Sequence, residues 1–435
     1  MTAEPDRLPA IGGGLRTAAI RYGTPAFVTD AAALEAAASE LAAAFPDPIV
    51  RQFSLKANDV PAIVGRLFGL GLGANVVSGG EWAIARGAGV PNGRISFEGI
   101  GKTDGELRTA VRAAARGEPL AWVAVESPEE AATLVRLARR AGLGRRCRPV
   151  LDVLVRLNPD VVPETHAGLA VGAGASKFGM TETELTATVD AVSTGSREAV
   201  RLRGVHLHVG SQLGAVDAWR DAVRRGLALL GLVRGGLDAF DTLDLGGGFP
   251  GAPFGEPAPA PGRFARELGP LLDAVPADRR PRRIAVEPGR FLVARSGWLV
   301  ARVLHVRDRG GRQVILDAGM TELIRPALYG ARHAVVALTS LGTIVPDPTA
   351  GAAAPLTLEV ARVEGPVCES TDHLGEHRLP PLERGDLVAI RDAGAYAASL
   401  GSTYNGRPRA PQVILEVDGT LRLVRRRGRP AGSLS

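Results

Sequence analysis

Eight short apolar runs, separated by stretches of helical period, constrain the fold of this chain more than any other feature. They are 52–57 (QFSLKA), 74–77 (ANVV), 94–98 (RISFE), 121–125 (AWVAV), 151–157 (LDVLVRL), 203–209 (RGVHLHV), 242–245 (TLDL) and 283–287 (RIAVE). Helices are expected at 31–45, 80–88, 104–116, 128–142, 181–193, 217–234 and 263–274. Strands alternating with helices argue for a parallel sheet. Eight units in about 250 residues suit a closed (β/α)8 barrel, with a doubly wound open sheet as the competitor. The strand bodies are apolar, but their ends are polar or glycine: Lys56, Ser78, Glu98, Glu126, Asn158, His208, Gly246 and Glu287. In a barrel those ends converge on the face where active sites are built.

After about residue 297 the texture changes. WLVARVLHVR (298–307), RQVILDAG (312–319), LTLEVARVEG (356–365) and DLVAIRDAG (386–394) follow with little helix between them. VILEV and TLRLV flank Asp418-Gly419, a pair suited to a tight hairpin. Residues 342–355 read as a loop. The expected organisation is a barrel over 30–297, with 1–29 and 298–435 forming a mainly β second domain.

Composition removes several classes. Two cysteines, Cys147 and Cys368, cannot form a disulfide framework and fit a reducing, cytoplasmic setting. Nothing approaches the roughly 18 uncharged apolar residues of a membrane helix, and residues 1–10 carry no apolar core of a secretory signal. The net charge is +6, yet only Lys56, Lys102 and Lys177 are lysines among 52 Lys and Arg residues. Such arginine bias, beside abundant Ala, Gly and Pro, reflects codon usage more than a basic surface. The cluster Arg425, Arg426, Arg427 and Arg429 reads as a solvated tail, and no nucleic-acid or membrane partner is expected. Lysine scarcity makes any lysine in a chemical setting informative.

Five segments carry chemistry. In FSLKAN (53–58), Lys56 ends an apolar strand, where an ammonium is costly to bury; it either snorkels to solvent or serves as a Schiff-base amine. In LDLGGGFP (243–250), Gly246, Gly247 and Gly248 either make a plain turn or let backbone N–H groups cradle a phosphate. AVEPGR (285–290) adds Glu287, Gly289 and Arg290, as an ion pair or as a phosphate clamp beside a separate acid. HLHVGSQ (206–212) sets His206 and His208 on one strand face, with Ser211 within reach of a phosphate. Zinc lacks acidic or cysteine partners at ligand spacing there, so no metal is expected; a histidine packed flat on an aromatic ring is the alternative. Cys368 in GPVCES is a buried thiol or a functional one. A lysine, a phosphate cradle and an acid for a ring nitrogen are the parts of a pyridoxal-phosphate site on a barrel.

The set resembles the fold-type III pyridoxal-phosphate-dependent decarboxylases of the alanine-racemase-like fold, and among them the branch acting on diaminopimelate. The motifs are SLKAN, VVSGGEW, VRLNPD, SKFG, HLHVGSQ, DLGGGFP, EPGR, DAGMTELIRPALY, GPVCES, GDLVAIRDAGAY and YNGRPR, in family order from about residue 25 to 415. The resemblance implies that Lys56 carries the cofactor, His208 stacks on its ring and Glu287 pairs with the ring nitrogen. Ser211, Gly246, Gly247, Gly248, Gly289, Arg290 and Tyr396 would surround the phosphate. Arg290, Arg325, Tyr329 and Tyr396 are similar to substrate contacts. Cys368, as proton donor, and Glu369, for the distal amino end of the substrate, would enter the site of a second subunit, so a homodimer with shared sites is implied. The implied reaction is decarboxylation of meso-diaminopimelate to L-lysine and CO2. FEGIGKTDGEL (97–107) and residues 160–175 depart from that branch's pattern, which keeps open a related free or carrier-bound amino acid.

Overall fold

The computed structural model describes residues 6–144, 150–166, 168, 170, 172, 176–196, 199–251, 257–345 and 357–429. Cys147, parts of 160–175 and most of the expected 342–355 loop lie outside them. The chain divides into two compact units: Ala38–Pro250 with Ala258–Arg290, and Met1–Ala37, Gly251–Pro257 and Phe291–Ser435.

The chain opens with α1 (Leu8–Tyr22), β1 (Ala26–Asp30) and α2 (Ala31–Ala44). The next eight strands are β2 (Val50–Ser54), β3 (Gly73–Val76), β4 (Ile95–Phe97), β5 (Trp122–Val125), β6 (Leu151–Leu157), β7 (Val200–Leu207), β8 (Thr242–Asp244) and β9 (Arg283–Val286). All pair in parallel and in order, and β9 returns to β2 to close the barrel. The open-sheet competitor is thereby excluded. Between them run α3 (Pro61–Gly69), α4 (Gly79–Gly87), α5 (Asp104–Ala115), α6 (Pro128–Arg140), α7 (Glu182–Ser196), α8 (Asp217–Arg234) and α9 (Pro261–Asp273).

Local chemistry explains where these helices begin. The Ser78 and Ser127 hydroxyls accept from the N–H of Glu81 and Glu130, and Thr103 with Glu106 forms a full capping box, each satisfying orphan donors of a first turn. Ser78, expected as a strand-end polar group, is therefore a helix cap. Apolar faces at helical spacing then bury themselves: α8 covers Trp219, Val223, Leu227 and Leu230, and Trp219 meets Phe264 edge-on at 5.5 Å.

The other unit is built on a sheet of β10 (Gly297–Asp308), β11 (Arg312–Leu316), β12 (Val335–Ala337), β15 (Glu359–Glu364), β16 (His373–Leu379), β17 (Leu387–Ile390), β18 (Gln412–Leu415), β19 (Leu421–Arg425) and β1. A small hairpin, β13 (Thr339–Ser340) with β14 (Thr343–Ile344), stands apart from it. Leu299, Val303, Leu316, Val363 and Ile390 centre one core, while α1 packs Ile11, Leu15 and Ala18 with Val28 and Val300 in another. The helices expected from the sequence include none in residues 1–29; α1 forms there although Gly12, Gly13 and Gly14 lower its propensity, because its apolar face is buried against the sheet. The Asp418-Gly419 turn joins β18 to β19 as expected. The arginine cluster differs from the expectation of a solvated tail: Arg425 lies in β19, and Arg427 donates to the carbonyls of Tyr22 and Pro25.

Candidate active site

Strand β2 ends at Ser54, three residues short of the expected run 52–57, and Lys56 sits on a single 3-10 turn, Leu55–Ala57. Leu55 and Ala57 are buried and the lysine between them is half-buried. The turn is held by Asn58, whose side chain accepts from the Val60 N–H at 3.1 Å. The other lysines have structural surroundings. Lys102 is paired with Glu130 at 3.0 Å, and Lys177 lies over the Phe178 ring.

Lys56 belongs to a charged cluster at the strand ends. Its charge opposes protonation of His206 and His208 and favours ionisation of Glu287. Burial, then Lys56, Arg156 and His206, holds the His208 imidazole well below its ordinary range, so it is neutral. Its Nδ1 accepts from the Gly247 N–H at 3.2 Å, which ties the histidine to the glycine run. The Gly246 N–H is also used internally, by Asp244 Oδ1 at 3.0 Å. The Gly248 N–H meets no acceptor among the described residues.

Gly246 cannot be replaced without cost. Its φ is +67°, and a Cβ there would lie 2.1 Å from the Leu207 carbonyl oxygen, so the turn demands glycine. Of the two readings of Arg290, an ion pair with Glu287 or part of a phosphate clamp, the geometry suits the second: Nη2 and Nε are directed to Ser211 Oγ at 3.1 and 3.3 Å. Glu287 accepts from Asn75 Nδ2 at 2.7 Å. Burial, then the charges of Asp244 and Glu98, pushes its carboxyl well above the usual carboxylate range. A Cβ at Gly289 would lie 3.1 Å from the Ala57 Cβ, so glycine lets the Glu287–Arg290 segment lie close against the lysine turn.

The contacts among the strand-end residues escaped sequence reasoning. His206 Nε2 lies 3.2 Å from Glu98 and 3.4 Å from Glu287, so the histidine has acidic partners after all. They come from β4 and β9 and leave no trace in local spacing. Arg156 binds Glu126 at 2.6 Å, and Glu126 also accepts from Gly179 N–H at 3.0 Å, anchoring the SKFG segment. Asp244 and Asn75 complete the network.

Arg290 is the last residue of the barrel unit, and the remaining expected residues, Arg325, Tyr329, Cys368, Glu369 and Tyr396, belong to the other unit. Arg290 opens α10 (Arg290–Val293), and Arg325 and Tyr329 bound α11 (Arg325–Tyr329), with the guanidinium 5.7 Å from the Tyr329 ring centroid. Tyr396 adopts a left-handed φ of 55°, an uncommon conformation for a bulky residue. Cys368 and Glu369 are exposed on the β15–β16 connection, and the Tyr404 hydroxyl donates to Glu369 at 2.8 Å. Buried Asp372 braces that connection by accepting from the N–H groups of Met320 and Val367 at 2.6 and 2.7 Å. Asp372→Ala is expected to lower stability by about 2 kcal/mol, because donors would lose a buried partner; a thermal melt measures it.

A lysine amine, a buried carboxyl that favours its proton, a neutral imidazole, and an arginine–hydroxyl pair near a glycine loop fit pyridoxal phosphate as a donor set. Residues 31–294 match the model of the pyridoxal-dependent decarboxylase, pyridoxal binding domain. The chain belongs to the pyridoxal-dependent decarboxylases, and pyridoxal 5'-phosphate is its cofactor.

It is 34% identical to the diaminopimelate decarboxylase of Aquifex aeolicus, over 96% of this chain and 92% of that one. The Deinococcus radiodurans enzyme of the same name is also 34% identical, with 96% of each covered. Among solved structures, diaminopimelate decarboxylase from Helicobacter pylori complexed with L-lysine is similar, with a TM-score of 0.84 and 30% identity. That likeness covers 95% of this chain and 96% of the other. Among the described residues no helix is long and apolar enough to cross a membrane.

Proposed function

We propose that this decarboxylase converts meso-diaminopimelate to L-lysine and CO2. The observation that carries the reading is near-full-length similarity to diaminopimelate decarboxylases, one of them holding L-lysine. Pyridoxal phosphate, when bound, supplies the electron sink for the pair left behind as CO2 departs. Lys56 anchors the cofactor, and neutral His208 offers the flat face of its ring. Ser211, Gly246, Gly247, Gly248, Gly289, Arg290 and Tyr396 hold the phosphate, with the Gly248 N–H and the Arg290–Ser211 pair as principal donors. Glu287 holds a proton for the ring nitrogen.

Arg290, Arg325, Tyr329 and Tyr396 orient the substrate, with Arg325 recognising a carboxylate. Glu369, steadied by Tyr404, binds the distal ammonium. The Cys368 thiol is the general acid that delivers a proton to the product carbon. Cys368 and Glu369 serve the partner's site in a homodimer, the β-rich domain completes the active site, and the reaction takes place in the cytoplasm.

The test is purified protein with pyridoxal phosphate and meso-diaminopimelate, following CO2 and the product by mass spectrometry. L-Lysine formed in step with CO2 is the expected result. No release from diaminopimelate, with release from another free or carrier-bound amino acid, would overturn the substrate assignment.

A further inference from the structure

Glu98, Asp244 and Glu287 follow or end three barrel strands and are all buried. His206, itself 1% exposed, lies between two of them, and ligand atoms of Glu98, His206 and Glu287 fall within 4.8 Å of one another. Three carboxylates crowded into an interior of low dielectric cannot all be ionised, because each charge opposes the next.

Hydrogen bonding limits where a proton on Glu287 can reside. Ser54 donates to Asn75 Oδ1 at 3.0 Å, which turns the Asn75 amide group toward Glu287 Oε1 at 2.7 Å. Oε1 is thus an acceptor. The other oxygen, Oε2, is the one facing His206 Nε2, at 3.4 Å. Glu98 lies 3.2 Å from the same nitrogen, so that ligand atoms of the two carboxyls and the imidazole fall within 4.8 Å of one another. Burial penalises the Glu98 charge, yet His206, Glu287, Asn75 and Arg156 hold that carboxyl down at about 2. Burial, with Glu98, Arg156, Glu126 and Lys56 as neighbours, leaves His206 at about 4 and so neutral at neutral pH. Burial, then Asp244, Glu98 and Lys56, governs Glu287, whose net direction is upward. The cluster is an acid–carboxylate pair with an imidazole against it.

We propose that Glu98, oriented by His206, is a positioning residue whose charge beside Glu287 keeps a proton on Glu287 for delivery to the cofactor's ring nitrogen. The inference rests on the assignment of Glu287 to that nitrogen. In the transfer, the Glu287 O–H bond breaks and an N–H bond forms. Glu287 becomes a carboxylate beside the new cation, and no electrons are exchanged. The fixed charge of Glu98 makes Glu287 the stronger base beforehand and stabilises the cation afterwards.

The experiment compares the wild-type protein with Glu98→Gln and Glu287→Gln by infrared spectroscopy without cofactor, reading the carbonyl stretch of a protonated carboxyl at neutral pH. The wild type should show a band that Glu287→Gln removes and Glu98→Gln weakens or shifts. With 15N-labelled pyridoxal phosphate bound, Glu98→Gln should move the ring-nitrogen resonance toward the neutral form. Turnover should fall about 10- to 100-fold, the scale for outer partners of a site, with KM little changed, and Glu98→Asp should recover part of it.

An unchanged band and an unchanged nitrogen resonance in Glu98→Gln overturn the proposal. A wild type lacking any band sensitive to Glu287→Gln overturns it without requiring the Glu98 variant to fold. A wild type inactive on diaminopimelate but carrying the band sinks the substrate assignment alone. A band present without any response of the nitrogen to Glu287→Gln sinks the ring assignment, and this inference with it.

Discussion

Lys56→Ala is expected to abolish the borohydride-reducible adduct with pyridoxal phosphate and to cut turnover on the order of 10³-fold or more, the scale of losing a covalent catalyst. The fold should survive. Lys56 is half-buried on a turn whose Leu55 and Ala57 supply the packing and whose Asn58 bonds to Val60, so truncation removes an amine and little apolar contact. Electrostatic consequences should spread. Lys56 opposes protonation of His208 and His206, and favours ionisation of Glu81 and Glu287. Its loss should therefore raise the proton affinity of all four. Mass mapping of the reduced protein identifies the labelled residue; an adduct of wild-type yield in Lys56→Ala, carried elsewhere, would overturn the assignment.

Cys368→Ala should lower turnover roughly 10²- to 10⁴-fold, the range for removing a general acid, while cofactor absorbance and adduct yield stay at wild-type levels. The thiol is exposed in this chain, so no buried packing is lost, and stability should be nearly unchanged. Near-normal lysine formation would refute its role. Mixing Lys56→Ala with Cys368→Ala subunits tests the shared site. Because heterodimers would combine one intact lysine with one intact thiol, activity absent from either parent should return. Failure of subunits to complement, once exchange is verified by mass, would place each Cys368 with the Lys56 of its own chain.

Much of this arrangement was legible in the chain itself. Alternation of apolar runs with helical periods required neighbouring parallel strands, and the count of eight matches the closed ring that forms. Lys56 stood out because lysine is rare here, and Gly246 because it opens a run of three glycines after a strand; its positive φ and the close Leu207 carbonyl show why that position takes no side chain. Local signals failed where packing outweighed propensity. Helix α1 forms despite its glycines because the sheet buries Ile11, Leu15 and Ala18, and Arg427 is drawn from the tail by two backbone carbonyls.

The sequence by itself determined the eight alternating strand–helix units, the mainly β second unit, the cofactor class and the residue types that the chemistry requires. All of these follow from periodicity, glycine geometry and motifs confined to a few adjacent positions. Closure of the sheet into a barrel was settled by the pairing of β9 with β2. Only the tertiary structure decided that Arg290 turns to Ser211 instead of Glu287, and that His206 stands between two acids. Glu98, His206, Asp244 and Glu287 come from separate strands, and barrel closure alone brings them together. Burial then forces those carboxyls to divide their protons. That outcome depends on distance and dielectric, which no spacing along a chain encodes.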